Sequence, residues 1–120
     1  MAFSQPNMKV INRSAVKSFP DVCGTIAELY SSDDVSFTIA TITGKSTPHM
    51  HKKMEEIYFI LRGEGTIHIG DESSPIKEGD LIPIPKNIFH HVLTREGESI
   101  EVIVVTHPKF DKSDVIEVMP

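Results

Sequence analysis

The chain has 120 residues, of which 39% are hydrophobic and 24% are charged, and its formal net charge is −5. These values favour one folded domain over residues 1–120 and disfavour a disordered chain. An acidic surface repels phosphate backbones, so we expect no nucleic-acid partner. No apolar run approaches the roughly 20 residues needed to span a bilayer, and residues 1–6 lack the basic and apolar regions of a signal peptide. We therefore expect no membrane partner either.

The cysteine content bears on the cellular compartment. Cys23 is the single cysteine, so no intrachain disulfide is possible, which fits the reducing cytoplasm. No histidine or basic residue stands beside Cys23 in the sequence to lower the pKa of its thiol. We therefore expect a cytoplasmic protein in which Cys23 is a buried or idle thiol rather than a nucleophile.

Short apolar or alternating segments recur along the chain, separated by Gly, Pro, Asp or Ser, and helical periodicity is nearly absent. Strands are predicted, in chain order, at residues 8–12, 25–30, 35–43, 56–61, 66–69, 81–84, 89–93 and 100–105. Turns are predicted at residues 31–34, 63–65, 69–72, 77–80 and 95–98. The more polar end of the chain, from residue 106, is expected to wrap the outside, with a helical turn or a loop at 111–114. Many short, regularly spaced strands are typical of an all-β sandwich or barrel.

The predicted strand at residues 56–61 is apolar on both faces. Ile57 and Phe59 point one way, whereas Tyr58 and Ile60 point the other. A strand that is apolar on both faces is covered on both. In so small a domain a second subunit could supply one of the covers, so we expect a homodimer.

Three of the six histidines form a pattern with one glutamate. His49 and His51 are separated by one residue, so on a strand both imidazoles point to the same face. Glu56 follows at an odd step, which requires a turn or bulge at residues 52–54, and His90 begins a later strand. Three imidazoles and one carboxylate suit a divalent iron, manganese, zinc, nickel, cobalt or copper ion. Such an ion would keep a charge near +1 and attract an anionic, chelating molecule.

Two segments carry a family resemblance. Residues 44–63 read GKSTPHMHKKMEEIYFILRG, and residues 79–94 read GDLIPIPKNIFHHVLT. They resemble, in order, the first and second motifs of the cupin superfamily. The sequence departs from those motifs at three places: Gly44 lies one residue closer to His49, Asn87 replaces a glycine, and Thr94 replaces an asparagine. Asparagine is the next-best residue for a left-handed backbone position.

This resemblance implies a double-stranded β-helix, or jelly roll, with the metal ion between its two sheets. Carried over residue by residue, it implies that the ligands are His49, His51, Glu56 and His90. Glu55 also falls within the permitted spacing. The six-residue gap to the glycine at position 63 favours Glu56, as does its parity with the even-numbered apolar residues of the strand.

The other polar residues near the motifs have plainer interpretations. His91 must point away from His90 on a regular strand, and His68 should point outward between two isoleucines. His107 is expected on the surface. Lys52 and its neighbour at position 53 either solvate a turn or flank the barrel mouth and steer anions.

The leading functional hypothesis is a metal-dependent enzyme of dioxygenase, decarboxylase or lyase type that acts on a small anionic or chelating molecule. Glu56 is a candidate proton shuttle besides being a ligand, and Tyr58 is either a general acid or a core residue. An alternative is a sugar or sugar-phosphate isomerase related to phosphomannose isomerase. Its phosphate-binding candidates do not cluster in the sequence: Lys52, Lys53, Arg62 and Lys86. An alternative of another class is a non-catalytic cupin that binds or senses a small ligand.

Overall fold

The computed structural model describes residues 8–117, of which 55% lie in strands and 5% in helical turns. The strands are β1 (Phe19–Asp21), β2 (Gly24–Ser31), β3 (Ser36–Thr43), β4 (His49–Met50), β5 (Glu55–Arg62), β6 (Glu64–Ile69), β7 (Glu72–Lys77), β8 (Leu81–Ile84), β9 (His90–Leu93), β10 (Ser99–His107) and β11 (Ile116–Glu117). Two 3-10 turns occupy Arg13–Ala15 and Lys112–Asp114. The predicted all-β fold is confirmed. No helix within residues 8–117 is long and apolar enough to cross a membrane.

The strands form two antiparallel sheets. The six-stranded sheet has the order β1-β2-β3-β10-β5-β8, and the five-stranded sheet has the order β11-β4-β9-β6-β7. Chain neighbours such as β4 and β5 lie in different sheets, so the chain crosses repeatedly between the two layers. This arrangement is the jelly roll that the resemblance implies.

The core lies between the sheets and follows from the period-two alternation of the long strands. In β5, the even-numbered residues from Glu56 to Ile60 are buried and the odd-numbered ones are exposed. Strands β3 and β10 alternate in the same way along most of their length. The core cluster is completed by residues from both sheets, including Ala40, Ile42, Ile67, Val92, Ile100 and Val102. Branched apolar side chains pack well on such pleated surfaces.

Some predicted elements differ from the structure. The strand predicted at residues 8–12 is wrong: this segment pairs with no described strand, and Met8 and Val10 are 85% and 88% exposed. The sequence prediction also omitted β1, β4, β7 and β11. Strand β7 lies at the edge of its sheet and buries only Ile76. Its sequence, which includes Ser-Ser-Pro, therefore lacks the alternation of apolar and polar residues from which a strand is predicted.

The left-handed position expected at Asn87 is present. Asn87 has φ of 64°, a backbone conformation in which asparagine substitutes for glycine. Its backbone N–H donates to the carbonyl oxygen of His51 at 2.7 Å. The turn of the second motif is therefore bound directly to the first motif.

Candidate metal centre

The structure brings together the four residues that the sequence singled out. His49 lies on β4 and His90 begins β9; these strands are neighbours, and the two residues are directly paired. Glu56 lies on β5 of the other sheet, and His51 follows β4. All four side chains are buried, and one potential ligand atom from each lies within 4.8 Å of the others. The cluster thus joins the two sheets.

The bend between His51 and Glu56 decides which glutamate faces the cluster. Residues 52 and 53 form a bend rather than a strand, and it carries the chain from β4 in one sheet to β5 in the other. Glu56 is 4% exposed and points inward, whereas the side of β5 that carries Glu55 faces outward. The odd five-residue step is therefore accommodated by a bend, as the sequence required.

The three imidazoles are oriented by main-chain carbonyl groups. Nδ1 of His49 lies 2.7 Å from the carbonyl oxygen of Thr47, and Nδ1 of His51 lies 2.8 Å from that of Asp114. Nδ1 of His90 lies 3.3 Å from the carbonyl oxygen two residues before it. A carbonyl oxygen can only accept, so each Nδ1 carries a proton and donates. In the neutral imidazole, each Nε2 is then left with a lone pair.

These lone pairs converge on the Glu56 carboxylate. Oε1 of Glu56 lies 3.1 Å from Nε2 of His51 and 3.1 Å from Nε2 of His90. None of these three buried atoms has a hydrogen-bond partner among the described residues. Buried acceptors that face one another without a donor are costly, and either a proton taken up by an imidazole or a bound cation removes that cost. The donor set therefore fits a divalent transition metal ion, and the cluster could hold one.

The ionisation of the cluster follows from burial and its charged neighbours. Burial raises the pKa of Glu56, but the imidazoles of His51 and His90 outweigh it and lower the pKa to about 2. Burial together with His90 lowers the pKa of His49 to about 4. For His51, burial lowers the pKa, but Glu56 reverses that effect and the net shift is upward. At neutral pH Glu56 is thus ionised and His49 is neutral, the protonation states in which each can bind a metal ion. Glu56 favours the protonated form of His51, so metal binding here would release that proton.

A narrow cavity of about 20 Å³ adjoins the cluster, with room for roughly one water molecule. Its walls are mainly apolar, and Cys23 is part of them. The thiol sulfur lies 3.9 Å from Nε2 of His49, although no histidine is near Cys23 in the sequence. Burial, followed by Glu56 and Asp21, raises the pKa of this thiol. The expectation that Cys23 is buried is thus met, and its place beside the cluster is something that sequence neighbours could not indicate.

Tyr58 is buried beside the cluster but is not among the residues that line the cavity. It is 2% exposed, and its ring centroid is 6.0 Å from that of His90. Burial raises the pKa of its phenol well above the ordinary value, so the group is neutral. The structure therefore places Tyr58 next to the cluster as a buried, uncharged phenol.

The C-terminal segment contributes a residue that sequence reasoning missed. Asp114 is 4% exposed, and its carboxylate accepts backbone hydrogen bonds from Lys52, Lys53 and Met54 at 3.0, 2.9 and 3.1 Å. Its carbonyl oxygen is the acceptor for His51. The described chain after residue 106 lies mostly on the outside, as expected, but Asp114 within it is buried and contacts the site. The available signal was a predicted helical turn at residues 111–114, which said nothing of what the turn contacts.

The remaining histidines lie away from the cluster. His68 and His91 are cross-strand neighbours on β6 and β9, with stacked rings 4.5 Å apart. They alternate with inward residues such as Val92 and so face outward, as expected. His107 is exposed. A more open surface hollow of about 610 Å³ lies elsewhere, and none of the four cluster residues lines it.

Comparison with known protein sequences gives several partial matches. An uncharacterized protein of Methanocaldococcus jannaschii is 29% identical over 63% of this chain and 61% of its own length. A gentisate 1,2-dioxygenase of Haloferax sp is 31% identical over 64% of this chain and 21% of its own length. An L-ectoine synthase of Vibrio campbellii is 32% identical over 67% of this chain and 64% of its own length. The match therefore spans less than two thirds of each of these relatives.

Solved structures share the fold. Pac13 of Streptomyces, a nucleoside dehydratase, superposes with a TM-score of 0.79 over 93% of this chain and 92% of its own, at 16% identity. The polyketide cyclase RemF of Streptomyces resistomycificus superposes with a TM-score of 0.79 over 94% and 87%, at 22% identity. A family model for the cupin domain matches residues 36–106, a span that contains all four cluster residues. The chain belongs to the cupin family.

Proposed function

We propose that this protein is a metal-dependent enzyme that acts on a small molecule able to chelate the ion, and that His49, His51, Glu56 and His90 are the metal ligands. One observation carries the proposal: buried acceptor atoms of two histidines and a glutamate face one another at 3.1 Å without a donor between them. Relatives with this fold include a dioxygenase, an ectoine synthase and a nucleoside dehydratase, all of which act on small molecules.

The bound ion would act as a Lewis acid toward an oxygen of the substrate. The chain's own residues would then position and move protons. Glu56 is ionised, with a pKa lowered to about 2 between two imidazoles, which suits a metal ligand. It could take up a proton only after moving away from the ion and from these imidazoles, whose contact lowers its pKa. Tyr58 keeps its proton because burial raises its pKa, which suits a hydrogen-bond donor toward negative charge on the substrate better than a group that gives up its proton. We propose these two residues as the catalytic groups.

The cavity walls constrain the substrate. Asp21 is the only charged side chain besides Glu56 among the described residues that line the cavity. The proposed anionic character of the substrate therefore rests on the charge of the ion alone, which one carboxylate ligand leaves near +1. At about 20 Å³, the cavity admits a substrate only if wall residues such as Phe110 move.

The alternatives differ in what the structure offers them. A sugar-phosphate isomerase needs a cation for the phosphate, and the four candidate cations named above are absent from the described cavity lining. Arg62 instead lies near Glu101 with its side chain 79% exposed. A non-catalytic sensor needs only a metal ion and an enclosed pocket, and the buried cluster could hold such an ion. The sensor is therefore the stronger rival, and turnover of a substrate panel separates it from an enzyme.

The first test is elemental analysis of the protein purified without chelator. We expect about one transition metal per chain, lost in Glu56→Ala and His90→Ala. The matched control is His91→Ala, because His91 is the chain neighbour of His90 but faces outward. Absence of metal from the parent protein even after reconstitution, or retention in the His90 variant, contradicts the ligand assignment. Metal identity narrows the reaction class, because iron suits oxygen chemistry and zinc, manganese or nickel suit lyase or isomerase chemistry.

We also propose a homodimer that buries the outer face of the six-stranded sheet. Ile57 and Phe59 on this face are 40% and 38% exposed. Register places five apolar residues in one row across five strands, about 19 Å wide: Ala27, Ile39, Ile103, Phe59 and Leu81. Phe59 and Leu81 at one end of the row are 38% and 58% exposed, whereas Ala27 and Ile39 are already buried within the single chain, so the proposed contact centres on β5 and β8. We expect a solution mass of twice 13.4 kDa, and one chain mass for Phe59→Lys. The control Ser74→Lys changes an exposed residue of the other sheet. A monomeric parent protein contradicts the proposal.

A cytoplasmic location is proposed on the state of the cysteine. Cys23 is free and buried against the cluster. A free thiol beside a transition metal site favours a reducing compartment. Fractionation of cells that express the protein from its own gene tests this location, and recovery outside the cytoplasm contradicts it.

A further inference from the structure

We infer that Asp114 is a positioning residue for the metal centre, and that the segment from Asp111 to β11 braces the ligands from outside the two cupin motifs. The inference rests on the proposed metal function for its effect on affinity, but the contacts themselves are independent of any ion. Asp114 lies 63 positions after His51; its main-chain carbonyl oxygen accepts from His51, and its side chain accepts from the backbone N–H of Lys52, the next residue.

The carboxylate of Asp114 organises the bend between two ligands. Its two oxygens accept from three consecutive backbone N–H groups, at residues 52, 53 and 54. His51 and Glu56 are five positions apart, so on one continuous strand their side chains would point to opposite faces. The bend that brings both into the cluster therefore interrupts the hydrogen bonds of a sheet. Three N–H donors would otherwise be left without strand partners. Backbone N–H donors converging on one buried carboxylate define the path of the bend, and hence where the two ligands point.

The main chain of Asp114 sets the tautomer of His51. The carbonyl oxygen accepts the Nδ1 proton of His51 at 2.8 Å, which leaves the Nε2 lone pair facing Glu56. The outer partner of a metal-binding histidine commonly determines its ring orientation and basicity. One residue thus fixes both the backbone beside His51 and the orientation of its ring.

Strand β11 connects the same C-terminal segment to His49. Ile116 pairs with Met50 and Glu117 pairs with His49, so β11 forms the edge beside β4. The 3-10 turn Lys112–Asp114 lies directly before this strand. The residues that follow β10 are therefore attached to the ligand strand and to the bend after it, so that displacing Asp114 displaces the surroundings of two ligands.

The test uses Co²⁺ as the probe and compares Asp114→Ala and Asp114→Asn with Asp111→Ala. Asp111 is the matched control: it is exposed and caps the same 3-10 turn through Ser113, but within residues 8–117 it forms no hydrogen bond or ion pair with the 52–54 bend. For Asp114→Ala we expect a 10- to 100-fold rise in the Kd for Co²⁺, together with a changed visible spectrum of the bound ion. Asp114→Asn retains one carbonyl acceptor and should recover part of the affinity. Asp111→Ala should bind as the parent protein does.

A metal-free measurement keeps the inference separate from the proposed function. Ring ¹⁵N chemical shifts of His51 in the apo protein report its tautomer, which we expect to be mixed in the Asp114 variants and Nδ1-protonated in the parent and in Asp111→Ala. A purely structural role predicts lower urea stability with unchanged Kd, spectrum and tautomer, and that result overturns the inference. If the parent protein binds no Co²⁺, the proposed metal function fails and the tautomer alone decides. If Asp114→Ala does not fold, Asp114→Asn supplies the comparison.

Discussion

Replacing Glu56 with glutamine should change metal-free stability and metal binding in opposite directions. In the parent protein, Oε1 of Glu56 lies 3.1 Å from Nε2 of His51 and 3.1 Å from Nε2 of His90. None of the three atoms has a hydrogen-bond partner among the described residues. The amide of Glu56→Gln has two N–H groups, and it can donate to Nε2 of both His51 and His90 without a buried charge. Each neutral hydrogen bond contributes about 1 kcal/mol, so at alkaline pH, where both imidazoles are neutral and offer only a lone pair, the metal-free variant should gain about 2 kcal/mol. For a chain of 120 residues, this is a rise of about 8 °C in Tm.

The same substitution should weaken the response to metal. Outer partners of metal ligands change affinity by 10- to 100-fold, so removal of an anionic ligand should cost at least roughly 100-fold. At a metal concentration about 1,000 times its Kd, the parent protein gains about 4 kcal/mol, whereas the Glu56→Gln variant gains about 1.4 kcal/mol at the same concentration. The expected rises in Tm on adding metal are about 16 °C and about 6 °C.

Thermal unfolding followed by circular dichroism measures the Tm of the parent protein and of Glu56→Gln, each as a chelator-treated and as a metal-loaded sample. Glu55→Gln is the matched control, because Glu55 precedes Glu56 on β5 but is exposed. It should leave both the metal-free Tm and the metal response unchanged. If metal-free Glu56→Gln is less stable than the parent and responds equally to metal, the three atoms are not an unsatisfied cation site and the reasoning is refuted.

Three further predictions follow from single contacts. Burial raises the pKa of Asp114, but its three N–H donors lower it overall, so the stability it confers is present above the unfolded pKa of 3.8 and lost in acid. Urea unfolding should show Asp114→Asn destabilised by about 1–3 kcal/mol near neutrality. If the difference in free energy of unfolding between the parent protein and this variant does not become smaller below about pH 4, the prediction is wrong. Cys23 should resist alkylation at about pH 8 until the protein unfolds, as mass spectrometry can show. Gly63→Ala should cost more stability in urea than Gly97→Ala, because a Cβ at Gly63 would lie 2.7 Å from Ser99 O and one at Gly97 meets nothing.

Much of the fold was predictable because apolar and polar residues alternate along most of its strands. Residues 81–84 form β8 as predicted, and β2, β3, β5, β6, β9 and β10 include most of the residues predicted for them. The left-handed backbone at Asn87 followed from a glycine position in the resembled motif. The predicted strand at residues 8–12 failed because an apolar segment becomes a strand only when another strand pairs with it.

For the site, the sequence by itself determined which side chains point to the same face of a strand. The one-residue gap between His49 and His51 places both imidazoles on one face, and the odd step to Glu56 demands a bend. Those are properties of consecutive residues, since side-chain direction alternates along any strand. The exposed apolar surface around Phe59 was also predictable, because the strand predicted at residues 56–61 is apolar on both faces.

Only the tertiary structure decided what lies beside these residues. The pairing of β4 with β9 brings His90 against His49, and the return of the chain after β10 places Asp114 under the bend. Cys23 comes within 3.9 Å of His49 although 26 positions separate them. Such contacts depend on which strands become neighbours, and that choice is made by the packing of the whole core rather than by local pattern.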